Sequence, residues 1–246
     1  MAAVKPKLYV QPGSHPCAAV EAALRLKDID FDRVDLLPLA QLLVGPLRYG
    51  GSTVPCMRIG SARLVGSRTI MRRLDELAPE PALLPATGDP ARGAILEAER
   101  WGDEELQDFP RRLFRWGLVR HLYLRRWLSA ESGIPAPSVA ARLSGLNARY
   151  YARLAHADEA AVRRDLAELP KALDHADALL ADGTLQVEPP NAAGLQVLCT
   201  VRALDCFSDL HPIVSKHPSA AAAERLFPDY PGPIPAFIPP EWLPAS

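Results

Sequence analysis

Four residues near the start of the chain, Ser14-His15-Pro16-Cys17, gather a hydroxyl, an imidazole and a thiol in one turn. They stand between an apolar stretch, Leu8-Tyr9-Val10, and a segment in which Val20, Ala23 and Leu24 recur at helical spacing. Pro16 fits the first turn of a helix, where a missing N–H is tolerated. A helix N-terminus offers unpaired N–H groups and partial positive charge. A serine hydroxyl at that point donates one further hydrogen bond. Together they favour a bound anion, above all a thiolate, which is the nucleophilic form of a thiol. Ser14 also reads as an N-cap, and the two roles are compatible. Cys17 falls three residues later, where a redox C-x-x-C would place its second cysteine. With serine first, no disulfide closes there. A mixed disulfide with a small thiol needs Cys17 exposed, and its plainer role is a small buried helix residue. His15 reads either as a contact for a ligand carboxylate or as an exposed turn residue.

A second group follows. Thr53-Val54-Pro55 opens a strand run to Ile59, and Ser67-Arg68 opens a helix. Ser67 is a good N-cap, and a helix N-terminus is a natural carboxylate site. Arg68 supplies charge there or lies on the surface. Cys56, next to Pro55, and Tyr9, inside its strand, read as packing residues.

The elements that must position these residues can be read in order. Residues 7–11 form a strand, 16–27 a helix, and 31–36 a half-buried strand. The segment 38–50 is mixed, with Gly45-Pro46 as a breaker. Residues 55–59 and 62–65 make a hairpin around Gly60-Ser61. Residues 67–77 form a helix with Ile70, Leu74 and Leu77 on one face. The order is β-α-β-(α)-β-β-α. Pro79, Pro81, Pro85 and Pro90 then mark a linker. From Ala91 to Phe227 the pattern is helical, with breaks at Pro110, 132–137, near 157–158 and at 182–190. Asn191 caps the helix carrying Leu195, Leu198, Val201 and Leu204. The Pro-rich stretch 228–246 reads as an extended strap on the helical part. The expected domains are 1–78, a linker at 79–90, and a helical domain with its tail at 91–246.

Composition limits the function classes. The chain has 246 residues and a formal net charge of −1, which leaves no electrostatic footprint for nucleic acid. No apolar run reaches the roughly 20 residues of a membrane span, so no membrane partner is expected. Met1 to Lys7 holds no apolar signal core. The four cysteines, Cys17, Cys56, Cys199 and Cys206, are too scattered for a disulfide framework or a zinc set. Free thiols suit a reducing cytoplasm, and no metal is expected.

In register, the chain resembles the glutathione S-transferase superfamily over its whole length. Ser14, Cys17, Val20 and Ala23-Leu24 resemble S-P-x-C-x-x-V-x-x-A-L. Lys27-Asp28-Ile29-Asp30-Phe31 resembles K-G-I-x-Y/F, and Val54-Pro55 the family's V-P, whose proline is cis. Leu64-Val65-Gly66-Ser67-Arg68-Thr69-Ile70 resembles L-x-[ED]-S-x-A-I. The resemblance implies an α/β thioredoxin-like N-terminal domain followed by an all-α helical C-terminal domain. It implies glutathione as co-substrate, a small hydrophobic electrophile, and a homodimer. Ser14 is then the thiol-activating residue, with Cys17 as the alternative for thiol-redox, isomerase or dehalogenase chemistry. His15, Val54, Pro55, Ser67 and Arg68 would hold the thiol peptide. Trp101, Phe109, Arg112 and Trp116 are available for the electrophile pocket, with Phe114 and Tyr123 nearby. Two departures stand out. Gly66 replaces the acid that holds the γ-glutamyl end, which leaves open a ligand-binding relative without glutathione affinity. Gly194 replaces an aspartate in the first turn of the late helix.

Overall fold

The structure is a computed structural model that describes residues 5–36, 50 and 53–244. Most of the mixed segment 38–50 lies outside the described residues. Strands β1 (Lys7–Val10), β2 (Asp32–Asp35), β3 (Cys56–Ile59) and β4 (Ala62–Val65) form one mixed sheet in the order β2-β1-β3-β4. β1 and β2 are parallel, with Lys7 opposite Asp32 and Val10 opposite Asp35. The other two pairings are antiparallel. Helix α1 (His15–Leu26) makes the β1-to-β2 crossover, and α2 (Ser67–Leu77) follows β4. This is a thioredoxin-like mixed sheet.

Period-2 alternation divides β1 between two faces. Leu8 and Val10 join the main core with Val20, Ala23 and Leu24 of α1 and Ile70, Met71 and Leu74 of α2. Tyr9 points to the other face and packs with Leu36 and Cys56. Leu77, expected on the core face of α2, is exposed at the helix's last turn. The chain then runs to the helical part without loosening. Lys27 Nζ is 2.8 Å from Asp75 and donates to the carbonyls of Ala78 and Pro81. The Asp75 carboxylate also accepts from the N–H groups of Leu83 and Leu84. A buried ammonium and a carboxylate thus satisfy one another and the backbone around them.

The C-terminal region is predominantly helical: α3 (Ala91–Trp101), α4 (Asp108–Arg120), α5 (Leu122–Glu131), α6 (Pro137–Leu143), α7 (Gly145–Leu154), α8 (Glu159–Ala181), α9 (Ala192–Asp205), α10 (His211–Val214) and α11 (Pro218–Leu226). The expected break at Pro110 falls earlier. Pro110 sits in the first turn of α4, where N–H groups lack helical partners anyway, and the interruption is a π-turn at Gly102–Leu106. α9 is apolar nearly all round and forms the centre of the core, packed on α1, α3 and α11. Asn191 caps it by accepting from the Gly194 N–H at 2.8 Å. A Cβ on Gly194 would lie 2.2 Å from the Gln186 carbonyl oxygen, so the departure at this position is sterically required. The strap after α11 ends in a short 3₁₀ turn at Pro240–Trp242. The Phe237 and Ile238 N–H groups both donate to Asp209 Oδ2. Tyr230 hydroxyl donates to the Gly13 carbonyl at 2.6 Å, tying the strap to the turn before Ser14.

Candidate functional site

The β1–α1 turn brings Ser14 to the start of α1. Its N–H donates to the Gln11 carbonyl, and its own carbonyl accepts from Cys17 and Ala18. Ser14 is extended (φ −80°, ψ 113°), half-buried, and its side chain makes no capping hydrogen bond. Pro16 has no N–H to offer, and the His15 N–H has no partner among the described residues. The Ser14 hydroxyl, which meets the Cys17 thiol, and the His15 amide are therefore the polar groups presented at this helix end. Across the site, the Val54-Pro55 bond is cis. Pro55 carbonyl accepts from the Gly66 N–H at 2.9 Å, linking this segment to the N-terminus of α2. The Val54 backbone has no hydrogen-bond partner among the described residues.

Two cysteines lie near this turn and neither is poised to react. Cys17 is 2% exposed, and burial pushes its thiol up to about 11, against a smaller opposing effect of the Ser14 hydroxyl. Burial likewise pushes the Cys56 thiol up to about 12, and its Sγ donates to the Thr53 carbonyl. His15 is 8% exposed rather than a surface turn residue. Its Nε2 has no partner, and burial, helped by the cations of Arg111 and Arg115, lowers its pKa from 6.5 to about 3. The imidazole is therefore neutral at physiological pH. Burial and the neighbouring Arg111 lower Arg115 to about 10. Its guanidinium stacks 5.5 Å over the Tyr151 ring of α7.

The start of α2 borders an open cleft of about 380 Å³ lined by Val65, Gly66, Ser67, Arg68, Thr69, Arg72 and Asp103. Ser67 is buried, and its hydroxyl donates to Gln196 Oε1 of α9 at 2.9 Å. Arg68 pairs with Glu104 at 2.9 Å, with Asp103 at 3.8 Å beyond. Asp103 is the residue that sequence reasoning missed, since Asp103-Glu104-Glu105 reads as a solvated face. The π-turn carries it here. Gly102 approaches α9 so closely that a Cβ would meet Val197 at 2.9 Å, and the next residue is thereby drawn to the cleft. Asp103 Oδ1 accepts from Gln107 Nε2 at 2.9 Å, and burial raises its pKa from the usual carboxylate range.

The four residues available for an electrophile pocket have other partners inside the helical part. Trp101 meets the His175 ring edge-on at 4.5 Å. Phe109 lies with Val162, Leu166 and Leu169. Arg112 is locked between Asp165 at 2.8 Å and Asp108. Trp116 is buried against Trp242 and Phe237 of the tail. Arg111, next to Arg112 in the chain, acts on His15 together with Arg115. For a cation, Asp174, Asp177 and His217 are the only trio among the described residues with donor atoms within 4.8 Å. Asp177 already binds His217 Nδ1 at 2.7 Å and accepts from the Ser219 N–H, so it caps α11.

A thioredoxin-like sheet thus carries a serine at the α1 N-terminus and a cis-proline segment beside it, with a helical region behind. Residues 8–82 match the profile of the glutathione S-transferase N-terminal domain. No curated protein sequence matches the chain. Solved structures share its fold at low identity. A glutathione S-transferase from Rhodospirillum rubrum F11 is 19% identical, with 92% of this chain and 89% of that chain covered and a TM-score of 0.62. FzlA from C. crescentus is 17% identical, covering 95% of this chain and 96% of that chain, with a TM-score of 0.59. A glutathione S-transferase from Methylobacterium radiotolerans, solved in complex with glutathione sulfonate, is 18% identical, covering 96% and 97%, with a TM-score of 0.51. The family model matches the N-terminal segment 8–82, and over the rest of the chain the likeness to the solved structures is one of fold.

Proposed function

We propose that the protein is a glutathione transferase-like enzyme in which Ser14 activates a thiol for attack on a small electrophile. The observation that carries this reading is the place of the Ser14 hydroxyl: it sits at the N-terminus of α1 without capping it, and its partner is the Cys17 thiol beside it. A hydrogen bond to a charged acceptor is worth about 1.5–3 kcal/mol. The free His15 N–H and the helix end add to it. Both stabilise the thiolate more than the thiol, so the bound thiol loses its proton at lower pH. Val54 pairs with the backbone of the thiol peptide in the manner of an added strand. Its γ-glutamyl carboxylate meets the amides at the start of α2, and its ammonium meets Asp103, which stands in for the acid absent at Gly66. The Ser67 hydroxyl, already given to Gln196, contributes through the backbone only. Arg111 and Arg115 offer charge to an acidic group on the electrophile. A homodimer and a reducing cytoplasm complete the reading.

The test is conjugation of glutathione to a panel of electrophiles by the wild-type protein and by Ser14→Ala. The substitution lowers kcat/KM about ten- to hundredfold if the hydroxyl makes one charge-assisted bond. Equal rates overturn the role of Ser14. A second reading, a ligand-binding relative without glutathione affinity, is favoured by Gly66 and by the Ser67–Gln196 bond. Calorimetry that finds no glutathione binding at millimolar concentration, with tight binding of another ligand, selects it. Thiol-redox chemistry at Cys17 has the least support. A buried thiol with a pKa of about 11 is ionised to about one part in ten thousand at neutral pH.

A further inference from the structure

The consecutive helices α6 and α7 carry an apolar ridge that nothing in the described structure covers. Val139 is 55% exposed, Leu143 77%, Leu146 77%, Tyr150 46% and Leu154 55%. Positions 139, 143, 146, 150 and 154 recur every three or four residues, which aligns them on one side of the two nearly continuous helices. The opposite side is fixed: Ala141, Ala148 and Ala152 are buried, α6 packing on α5 and α7 on α4. The ridge is thus held outward by an alanine stripe rather than waiting to fold in. Large side chains this exposed, contiguous on a single surface, mark an interaction site.

The charge within the segment that carries the ridge has one sign, with Glu131 before it and Asp158-Glu159 after it. From Ser132 to Ala157 there are three arginines, Arg142, Arg149 and Arg153, and no aspartate or glutamate. All three are exposed and enter no ion pair among the described residues. They fall at 142, 149 and 153, one position before Leu143, Tyr150 and Leu154, so a cationic row runs alongside the leucine row. A second copy of the α6–α7 segment brings the same positive row and no acid to meet it. A complementary surface must therefore be anionic and able to receive protruding leucines. A phospholipid bilayer provides both: phosphates for the guanidinium groups and a fluid apolar layer for the ridge, with Tyr150 at the boundary. No described helix is long and apolar enough to cross a membrane, so the contact is peripheral.

We propose that the α6–α7 ridge docks this protein on the surface of an anionic bilayer. The inference is independent of the thiol chemistry. It concerns peripheral contact, whereas the sequence expectation of no membrane partner rested on the length of a span.

The test is co-sedimentation of the full chain with vesicles of mixed phosphatidylglycerol and phosphatidylcholine, and with phosphatidylcholine alone. The protein is expected to pellet with the anionic vesicles, to stay in solution with the neutral ones, and to be released by high salt. Leu143→Glu/Leu146→Glu abolishes pelleting, and each of Arg149→Gln and Arg153→Gln weakens it about fivefold, from about 1 kcal/mol per arginine. Leu77→Glu, an exposed leucine on α2, is the control and leaves pelleting unchanged. Because every altered side chain is exposed, circular dichroism is expected to match wild type. The proposal is overturned if the wild type does not pellet with anionic vesicles, if it pellets equally with both lipids, or if the double glutamate variant pellets like wild type. It is also overturned if the ridge proves to join two copies, seen as a wild-type assembly in vesicle-free buffer that the double variant dissolves.

Discussion

Replacing Asp103 by asparagine removes the carboxylate charge from the cleft at the start of α2 while keeping the shape of the side chain. Gly66 offers that cleft no carboxylate, and Asp103 is the carboxylate that lines it. A γ-glutamyl ammonium held there makes one charge-assisted hydrogen bond, worth about 1.5–3 kcal/mol, so Asp103→Asn weakens glutathione about ten- to hundredfold. The pH dependence has a definite sign. The ammonium needs the ionised carboxylate, and burial raises the Asp103 pKa above 3.8. Affinity is therefore present above the raised pKa and is lost as pH falls through it, earlier than an ordinary aspartate would allow. The asparagine variant shows no such loss. Isothermal calorimetry measures both effects. A glutathione analogue lacking the α-amino group serves as the partner probe, and its affinity is expected to be the same for both proteins. Asp103 also accepts from Gln107, so thermal unfolding of the variant is measured alongside. Unchanged glutathione affinity in a folded Asp103→Asn protein refutes the substitution of Asp103 for the missing acid.

Cys17→Ser leaves conjugation within about twofold of wild type, and native Cys17 resists alkylation at neutral pH, because burial holds its thiol protonated. Acid weakens the fold through His15. Its folded pKa of about 3 lies below the unfolded 6.5, so its contribution is complete above 6.5 and declines as pH falls toward 3. At pH 5 the loss is about 2 kcal/mol, read by urea unfolding, and His15→Gln removes that part of the pH dependence. Gly194→Asp destabilises by about 2 kcal/mol or more, because its Cβ would meet the Gln186 carbonyl at 2.2 Å. A variant as stable as wild type in thermal unfolding contradicts that steric reading.

The N-terminal elements were legible because short-range signals mark them. Pro12-Gly13 ends β1, Pro16 opens α1, and Gly60 (φ 58°) turns the hairpin. The helical pattern after Ala91 is equally plain, yet the proline signal points to Pro110 while the interruption lies at Gly102–Leu106, since a proline within the first turn breaks nothing. The site was legible only where it is local. Ser14 and Val54-Pro55 are carried by the chain next to them. Asp103 reaches the cleft through the close approach of Gly102 to α9, a contact across more than ninety residues that no local pattern encodes. The burial of His15 beneath Arg111 and Arg115, and the bond from Tyr230 to Gly13, are likewise set by tertiary packing.

The decisive measurement is the pKa of glutathione's thiol when bound, followed by the ultraviolet absorbance of the thiolate across pH in the wild type and in Ser14→Ala. The wild type is expected to hold that pKa below the value for free glutathione, and Ser14→Ala to raise it by about 1–2 units. A bound thiol that ionises as it does in water, or at the same pH in both proteins, contradicts activation at Ser14.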